Sequence, residues 1–199
     1  MRPVLLALLA AMIAFPVAHT FLVMPGKTFG PIRETTSRTE LTRLFGATHV
    51  EDGELSFPEA ACTFGTIVYL DTKNAIEIGW KDQARTRVAF VRTRAGSVGQ
   101  WATPRGVRVG TTLRQLVRLA GRPVRFLGFG GPYSGSVHWR ELGAWIELVL
   151  HSHMDDLPAG AYSGELVRSD LQGLNRNQIT VARLQQVWHD AWEYHDCHN

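Results

Sequence analysis

The chain has few lysines, few cysteines and none of the common catalytic motifs. Three of its 21 basic residues are lysines, so its positive charge comes almost entirely from arginine, which is suited to bidentate contacts with carboxylates. A codon bias would produce the same composition. The net charge is +3, or +2 if Arg2 is removed with an N-terminal signal. Because the basic residues are spread along the chain, we expect no nucleic-acid partner.

The scarcity of cysteine limits the covalent chemistry that the chain can use. The first of its two cysteines, Cys62, lies too far from the N-terminus to carry the lipid of an exported lipoprotein. In an oxidising compartment Cys62 and Cys197 can form one disulfide, which would tie the C-terminal tail to the first half of the chain. The alternative is a buried thiol at Cys62 and a free thiol at Cys197.

No serine lies in a Gly-x-Ser-x-Gly sequence, so a hydrolase with that nucleophile elbow is not expected. The glycine-rich stretch 128–135 does not predict a phosphate site, because a strand and not a helix follows it. It is typical of a long hairpin loop. We expect Phe129 and Tyr133 either to be exposed there as anchors for a protein partner or to close one end of the core.

The N-terminus predicts export. A basic start at Arg2 precedes an apolar run over Val4–Ala18, as in a cleaved secretory signal, which we place at residues 1–20. An uncleaved membrane anchor is the alternative, because Phe21–Met24 extends the apolar run. We therefore expect a periplasmic or secreted protein, with no stable membrane insertion once the signal is cleaved.

A sequence pattern that is typical of a short helix and its start occurs twice, at Ile32–Gly46 and at Val107–Gly121. The matched positions share one sequence shift: Leu41 and Leu116 are as far apart (116 minus 41) as Gly46 and Gly121 (121 minus 46). A constant shift through several matched positions predicts a duplicated structural unit.

Each of the two segments contains the local sequence signals of a short helix. A Ser or Thr stands three residues before a Glu or Gln, the arrangement that satisfies free amides in a first helical turn; these pairs are Ser37 with Glu40 and Thr112 with Gln115. Apolar residues at helical spacing predict a buried stripe, formed by Leu41 and Leu44 in one helix and by Leu113, Leu116, Val117 and Ala120 in the other. Gly46 and Gly121 are predicted to end the helices in the left-handed conformation.

Segments rich in β-branched and aromatic residues follow each helix and predict strands, at 66–70, 75–80 and 87–92 and then at 124–129, 136–140 and 145–150. A closing strand at 178–187 is favoured over a helix there. The pattern predicts an α+β fold, a tandem pair of units (about 29–103 and 104–187) that each contain a short helix and an antiparallel β-meander. We expect one domain at 21–187 and a polar aromatic tail at 188–199.

Three segments carry a resemblance to known proteins: Trp101–Gly130, Trp80-Lys-Asp82 and Leu174–Ile179. Together they resemble a group of uncharacterised exported bacterial proteins, which implies export and a shared fold but no activity. The repeated helix and sheet units also resemble those of β-lactamase inhibitor protein and of the small lipoprotein subunit of the β-barrel assembly machinery. Those families bind proteins, so this second resemblance implies protein binding.

One motif points to metal chemistry. The sequence His151-Ser-His153-Met-Asp155-Asp156 resembles the His-x-His-x-Asp-His loop of metallo-β-lactamase-like hydrolases, and its two imidazoles and carboxylate can hold zinc. However, Asp156 replaces the last histidine, and only 43 residues follow to supply further ligands. We expect a non-catalytic module that binds an envelope protein without a cofactor, with a zinc-dependent hydrolase as the alternative.

Overall fold

The computed structural model describes residues 21–57, 61–131, 134–139, 144–150, 157–188 and 195–196. Within these residues the elements are, in chain order, β1 (Val23–Met24), β2 (Thr28–Phe29), α1 (Arg38–Phe45), β3 (Val50–Ser56), β4 (Ala61–Val68), β5 (Ile76–Trp80), β6 (Val88–Thr93), α2 (Leu113–Ala120), β7 (Arg125–Leu127), β8 (Ser136–Trp139), β9 (Ala144–Leu150), β10 (Leu166–Arg168), β11 (Ile179–Val187) and β12 (His195–Asp196). Short 3₁₀ turns occupy Ala47–His49 and Ala159–Ala161.

Both helices begin at the predicted caps. The Glu40 amide donates to Ser37 Oγ at 3.2 Å, and the Gln115 amide donates to Thr112 Oγ1 at the same distance. In α2 the Thr112 amide also donates to Gln115 Oε1 at 2.8 Å, so the reciprocal box is complete there. These bonds satisfy amides that have no partner within the helix, which is why each helix starts where it does.

The two helices end differently. Gly121 adopts the predicted left-handed conformation, with φ 67° and ψ 10°. The same prediction is wrong for Gly46, which has φ 87° but ψ 144°. The extended ψ turns the chain directly into the 3₁₀ turn over Ala47–His49, which leads into β3.

Eight strands form one antiparallel sheet in the order β3-β4-β5-β6-β11-β9-β8, with β12 on β4 beyond the end of β5. The predicted meander at 66–70, 75–80 and 87–92 is confirmed as β4, β5 and β6. The predicted closing strand is confirmed as β11, which pairs with both β6 and β9. The sheet therefore joins strands that follow α1 to strands that follow α2, and the fold is α+β.

The second predicted meander is wrong at its first strand. β7 leaves the large sheet and pairs with β10, with Arg125 opposite Arg168. The cause is non-local: the Val124 amide donates to Ser169 Oγ at 2.9 Å, and Phe126 is fully buried. Only β8 and β9 form the expected hairpin.

Both helices and the first hairpin pack on one face of the sheet and share one core. Leu41 and Phe45 of α1 and Leu113 and Leu116 of α2 are buried there. Leu44, Val117 and Ala120, predicted to belong to the same stripes, are partly buried against that core. Within the described residues, no helix is long and apolar enough to cross a membrane.

A row of glycines crosses the first half of the sheet. Gly53 pairs with Gly65, and Gly65 pairs with Gly79. A Cβ atom on Gly65 would overlap Leu55, and one on Gly79 would overlap the Phe90 ring. The missing side chains let Leu55 and Phe90 lie against the backbone, where they form a smaller second core on the other sheet face.

Candidate functional site

The residues of the predicted zinc loop, His151, His153 and Asp155, lie outside the described residues, directly after β9. No group of three or more potential metal ligands occurs among the residues that the structure describes. The zinc-dependent hydrolase stays a prediction from the sequence.

Phe129 does not form an exposed anchor. Its side chain is 7% exposed and belongs to the main core, with its ring centre 5.4 Å from that of Phe126. The Phe129 amide donates to Ala161 O at 2.9 Å, which draws the loop inward. Tyr133 lies outside the described residues. Phe129 therefore lies in the core, the second of the two positions expected for it.

Cys62 is fully buried on β4 and is disulfide-bonded. Its backbone pairs with His195 of β12. The chain has one other cysteine, Cys197, which lies outside the described residues. The pairing of the strands brings the C-terminal segment beside β4.

Positive charge is concentrated in one part of the sequence, although the net charge of the whole chain is small. Residues 83–140 include eleven arginines and no aspartate or glutamate. The basic residues are therefore not evenly spread, contrary to our expectation. Six of these arginines are exposed and lie on α2 or close to it in the sequence: Arg105, Arg108, Arg114, Arg118, Arg122 and Arg125.

An open groove of about 810 Å³ runs along α2 and is lined by residues between 98 and 119. We call it the α2 groove. One wall is α2 itself, from which Gln115, Arg118 and Leu119 face the groove, and the other includes Val98 and Arg108. None of the described residues that line it is acidic. The groove therefore presents two guanidinium groups beside apolar side chains.

Hydrogen bonds to the sheet hold the loop that carries Arg108. The Gly110 amide donates to Val181 O at 2.8 Å, and the Val181 amide donates to Thr111 O at 2.9 Å, so this loop is bonded to β11. The Arg108 amide donates to Thr111 Oγ1 at 2.9 Å. A backbone fixed in this way loses little conformational freedom when the groove binds a ligand.

The chain matches no known protein family, no curated protein and no solved structure. The resemblance to exported bacterial proteins and to two protein-binding families stays a prediction.

The region before α1 has the same local structure as the region before α2. The Arg33 amide donates to Thr36 Oγ1 at 2.9 Å, as the Arg108 amide does to Thr111 Oγ1, 75 residues later (108 minus 33). The charges differ. Arg43 pairs with Glu40 at 3.4 Å, but the residue that matches Glu40 at this shift is Gln115, so Arg118 has no carboxylate at that position.

A second, smaller cavity of about 400 Å³ lies at the end of β5 and is lined by Phe64, Trp80, Lys81, Asp82 and Arg85 among others. Phe64 is 54% exposed, and the Arg85 guanidinium lies 5.4 Å from its ring centre. This geometry allows a cation–π contact. It holds Arg85 over the ring rather than toward solvent.

Asp52 fixes the guanidinium groups beside this cavity. Its carboxylate accepts from Arg38 Nε at 2.8 Å and Arg85 Nη1 at 2.5 Å, and from Thr66 Oγ1 at 2.8 Å. Burial opposes ionisation of Asp52, but the hydrogen bonds from Arg38, Thr66 and Arg85 outweigh it, so the pKa of Asp52 is lowered. Both arginines are engaged with Asp52, in contrast to the two that line the α2 groove.

Proposed function

We propose that the chain is an exported, non-catalytic module that binds another protein, and that the α2 groove is its binding surface. The observation that carries the proposal is the placing of Arg108 and Arg118 in one open groove whose described lining has no acidic residue. Arginine is one of the residues enriched at the centres of protein interfaces.

The fixed position of the groove supports binding. Arg108 lies on a loop bonded to β11, and α2 buries Leu113 and Leu116 in the core. Neighbouring Trp101 is 2% exposed, and its Nε1 donates to Asn74 O at 2.9 Å. A fixed backbone limits the positions that these side chains can reach, which favours selective recognition of a partner.

We also infer that the chain arose from a tandem pair of units that each begin with one of the helices. The support is the set of hydrogen bonds that recur at a shift of 75 residues. Besides the matched bonds of Arg33 and Arg108, the Leu41 amide donates to Ser37 O at 2.9 Å, and the Leu116 amide donates to Thr112 O at 2.9 Å. On this view α1 and α2 are copies: Arg33 and Arg43 match Arg108 and Arg118, and the copies differ in that Gln115 stands where the first has Glu40.

Export is part of the proposal and depends on residues 1–20, which lie outside the described residues. A fusion of these residues to a reporter enzyme that is active only outside the cytoplasm tests it. We expect activity of the fusion, and loss of activity when charged residues replace the apolar run over Val4–Ala18.

Quantitative capture from an envelope extract tests the proposed function. The purified chain and its Arg108→Ala/Arg118→Ala variant are immobilised at equal density, and bound proteins are measured by mass spectrometry. We expect a protein that the wild type enriches and the variant does not, because the variant loses both charges of the groove. A partner bound equally by both would show that the groove is not the binding surface.

The matched control is Arg33→Ala/Arg43→Ala, which removes the arginines at the corresponding positions beside α1. It changes the net charge by the same amount, so it controls for non-specific attraction of acidic proteins to a basic chain. We expect this variant to capture the partner as the wild type does. Circular dichroism before capture verifies that each variant is folded.

A further inference from the structure

We propose that the α2 groove recognises an acidic, partly apolar segment of its partner, and that the neutral amide at Gln115 determines this specificity. The inference rests on the proposed function and adds the chemistry of the ligand. It assigns to Arg108 and Arg118 the binding of carboxylates and to Gln115 the task of leaving Arg118 available.

Carboxylates fit the groove because its two charged side chains are arginines. A guanidinium presents parallel N–H groups that match the two oxygens of a carboxylate. No hydrogen bond or ion pair engages the side chain of Arg108 or Arg118 within the described parts of the chain. A ligand with two acidic side chains would therefore add charge-assisted bonds without breaking existing ones.

The comparison of the two helices identifies the role of Gln115. In α1 the first-turn acid Glu40 pairs with Arg43 three residues later, at 3.4 Å. In α2 the corresponding residue is Gln115, whose Oε1 accepts from the Thr112 amide at 2.8 Å. Glutamate would complete the same capping box, so capping does not require the amide. What the amide changes is the charge beside Arg118.

The apolar part of the lining favours a polypeptide over a membrane surface. Val98 is 60% exposed at the groove, and Leu119 lines the opposite wall. A flat bilayer cannot enter a groove, whereas a segment that alternates acidic and apolar residues can contact both walls and the guanidinium groups. A partner segment of mixed character is therefore the ligand we propose.

The substitution Gln115→Glu tests the inference, because it should recreate beside Arg118 the ion pair that Glu40 makes with Arg43. The probe is a fluorescent peptide that alternates glutamate with leucine, and its binding to the purified full chain is measured by anisotropy. An exposed ion pair three residues apart on a helix competes only modestly for the arginine, so we expect binding to weaken about threefold in the variant. The matched control, Glu40→Gln in α1, should bind as the wild type does.

Two further ligands separate the alternatives. The same peptide with glutamine in place of glutamate should bind about tenfold more weakly to the wild type. Vesicles that contain anionic phospholipid should bind no better to the wild type than to Gln115→Glu. Equal binding of the peptide to wild type and Gln115→Glu would overturn the inference. It would also be overturned if the wild type binds vesicles but not the peptide, and Gln115→Glu no longer binds the vesicles.

Failure of this inference is distinguishable from failure of the proposed function. If the acidic peptide does not bind but the Arg108→Ala/Arg118→Ala variant still loses a captured envelope protein, the groove binds a partner of other chemistry. If neither peptide nor protein depends on the groove, both proposals are wrong. Thermal unfolding of Gln115→Glu and Glu40→Gln confirms that the comparison is made between folded proteins.

Discussion

Arg92 is buried against Glu77, with its Nε 2.6 Å from Glu77 Oε2. The two residues lie on neighbouring strands, and the arginine is 2% exposed. Arg92 Nη2 also donates to Ser56 O at 2.7 Å, and its guanidinium lies 4.2 Å from the centre of the Phe57 ring. One side chain therefore links β5 and β6 to the end of β3.

Arg92→Met is expected to destabilise the protein. The substitution removes one partner of a buried pair and leaves Arg94, at 3.8 Å, as the remaining ionic partner of the Glu77 carboxylate among the described residues. Removal of one partner of such a pair costs about 3 kcal/mol. Urea unfolding measures the loss, and Arg87→Met, at an exposed pair, is the control. A loss no larger than that of the control would show that burial of the pair does not matter.

Gly79→Ala tests the glycine row across the sheet. A Cβ atom there overlaps the Phe90 ring, so Phe90 must move away from the backbone, at a cost of about 2 kcal/mol. The control is Gly164→Ala, because a Cβ at Gly164 would have no atom of the described residues within 4 Å apart from its chain neighbours. If the two variants unfold at the same urea concentration, the close contact between β5 and Phe90 is not required.

Asp52 should make stability depend on pH in the acid range. Its pKa is lowered in the folded chain from an ordinary value of 3.8. Its stabilising contribution is thus present above pH 3.8 and is lost as the pH falls through the folded pKa. We expect Asp52→Asn to be less stable than wild type at neutral pH and to approach it on acidification. Asp71→Asn, at an exposed position, is the control for the removal of one carboxylate. A difference in stability between Asp52→Asn and wild type that stays constant with pH would contradict this account.

Reduction should destabilise the chain, because Cys62 is disulfide-bonded. We predict Cys197 as its partner, so non-reducing proteolysis should release one peptide pair that contains both residues. A bridge between these positions closes a long loop, and its loss typically costs about 2–4 kcal/mol. Calorimetry with and without reductant gives the change. Two thiols that react with iodoacetamide in the unreduced, unfolded chain would contradict the bridge.

The helices were predictable because their signals are local. Ser37 and Thr112 determine the first turns through hydrogen bonds within three residues. The meander of β4, β5 and β6 was predictable for a similar reason, since β-branched residues and turns alternate over short distances.

Elements that depend on distant residues were missed or misplaced. β3 contains Glu51, Asp52 and Glu54, and acidic residues are poor strand formers that nonetheless suit an exposed sheet edge. β7 resembles a meander strand in sequence, but its pairing with β10 depends on a segment about forty residues later. Phe129 is in the core because of a bond to Ala161. None of these contacts leaves a pattern in the nearby sequence.

Part of the candidate site could be predicted from the sequence. The segment 83–140 has no acidic residue and therefore predicts a basic surface. The net charge of the whole chain, +3, gives no sign of this local excess. That Arg108 and Arg118 share a groove with Val98 required the structure, since bonds to β11 position the loop that leads into α2.

A charge reversal tests the central claim most directly. Arg108→Glu/Arg118→Glu is compared with wild type for binding of the peptide that alternates glutamate with leucine and of its counterpart with lysine in place of glutamate. If the groove binds through its charges, the wild type prefers the glutamate peptide and the variant prefers the lysine peptide. The same preference in both proteins would contradict the assignment of the α2 groove as a site for an acidic partner segment.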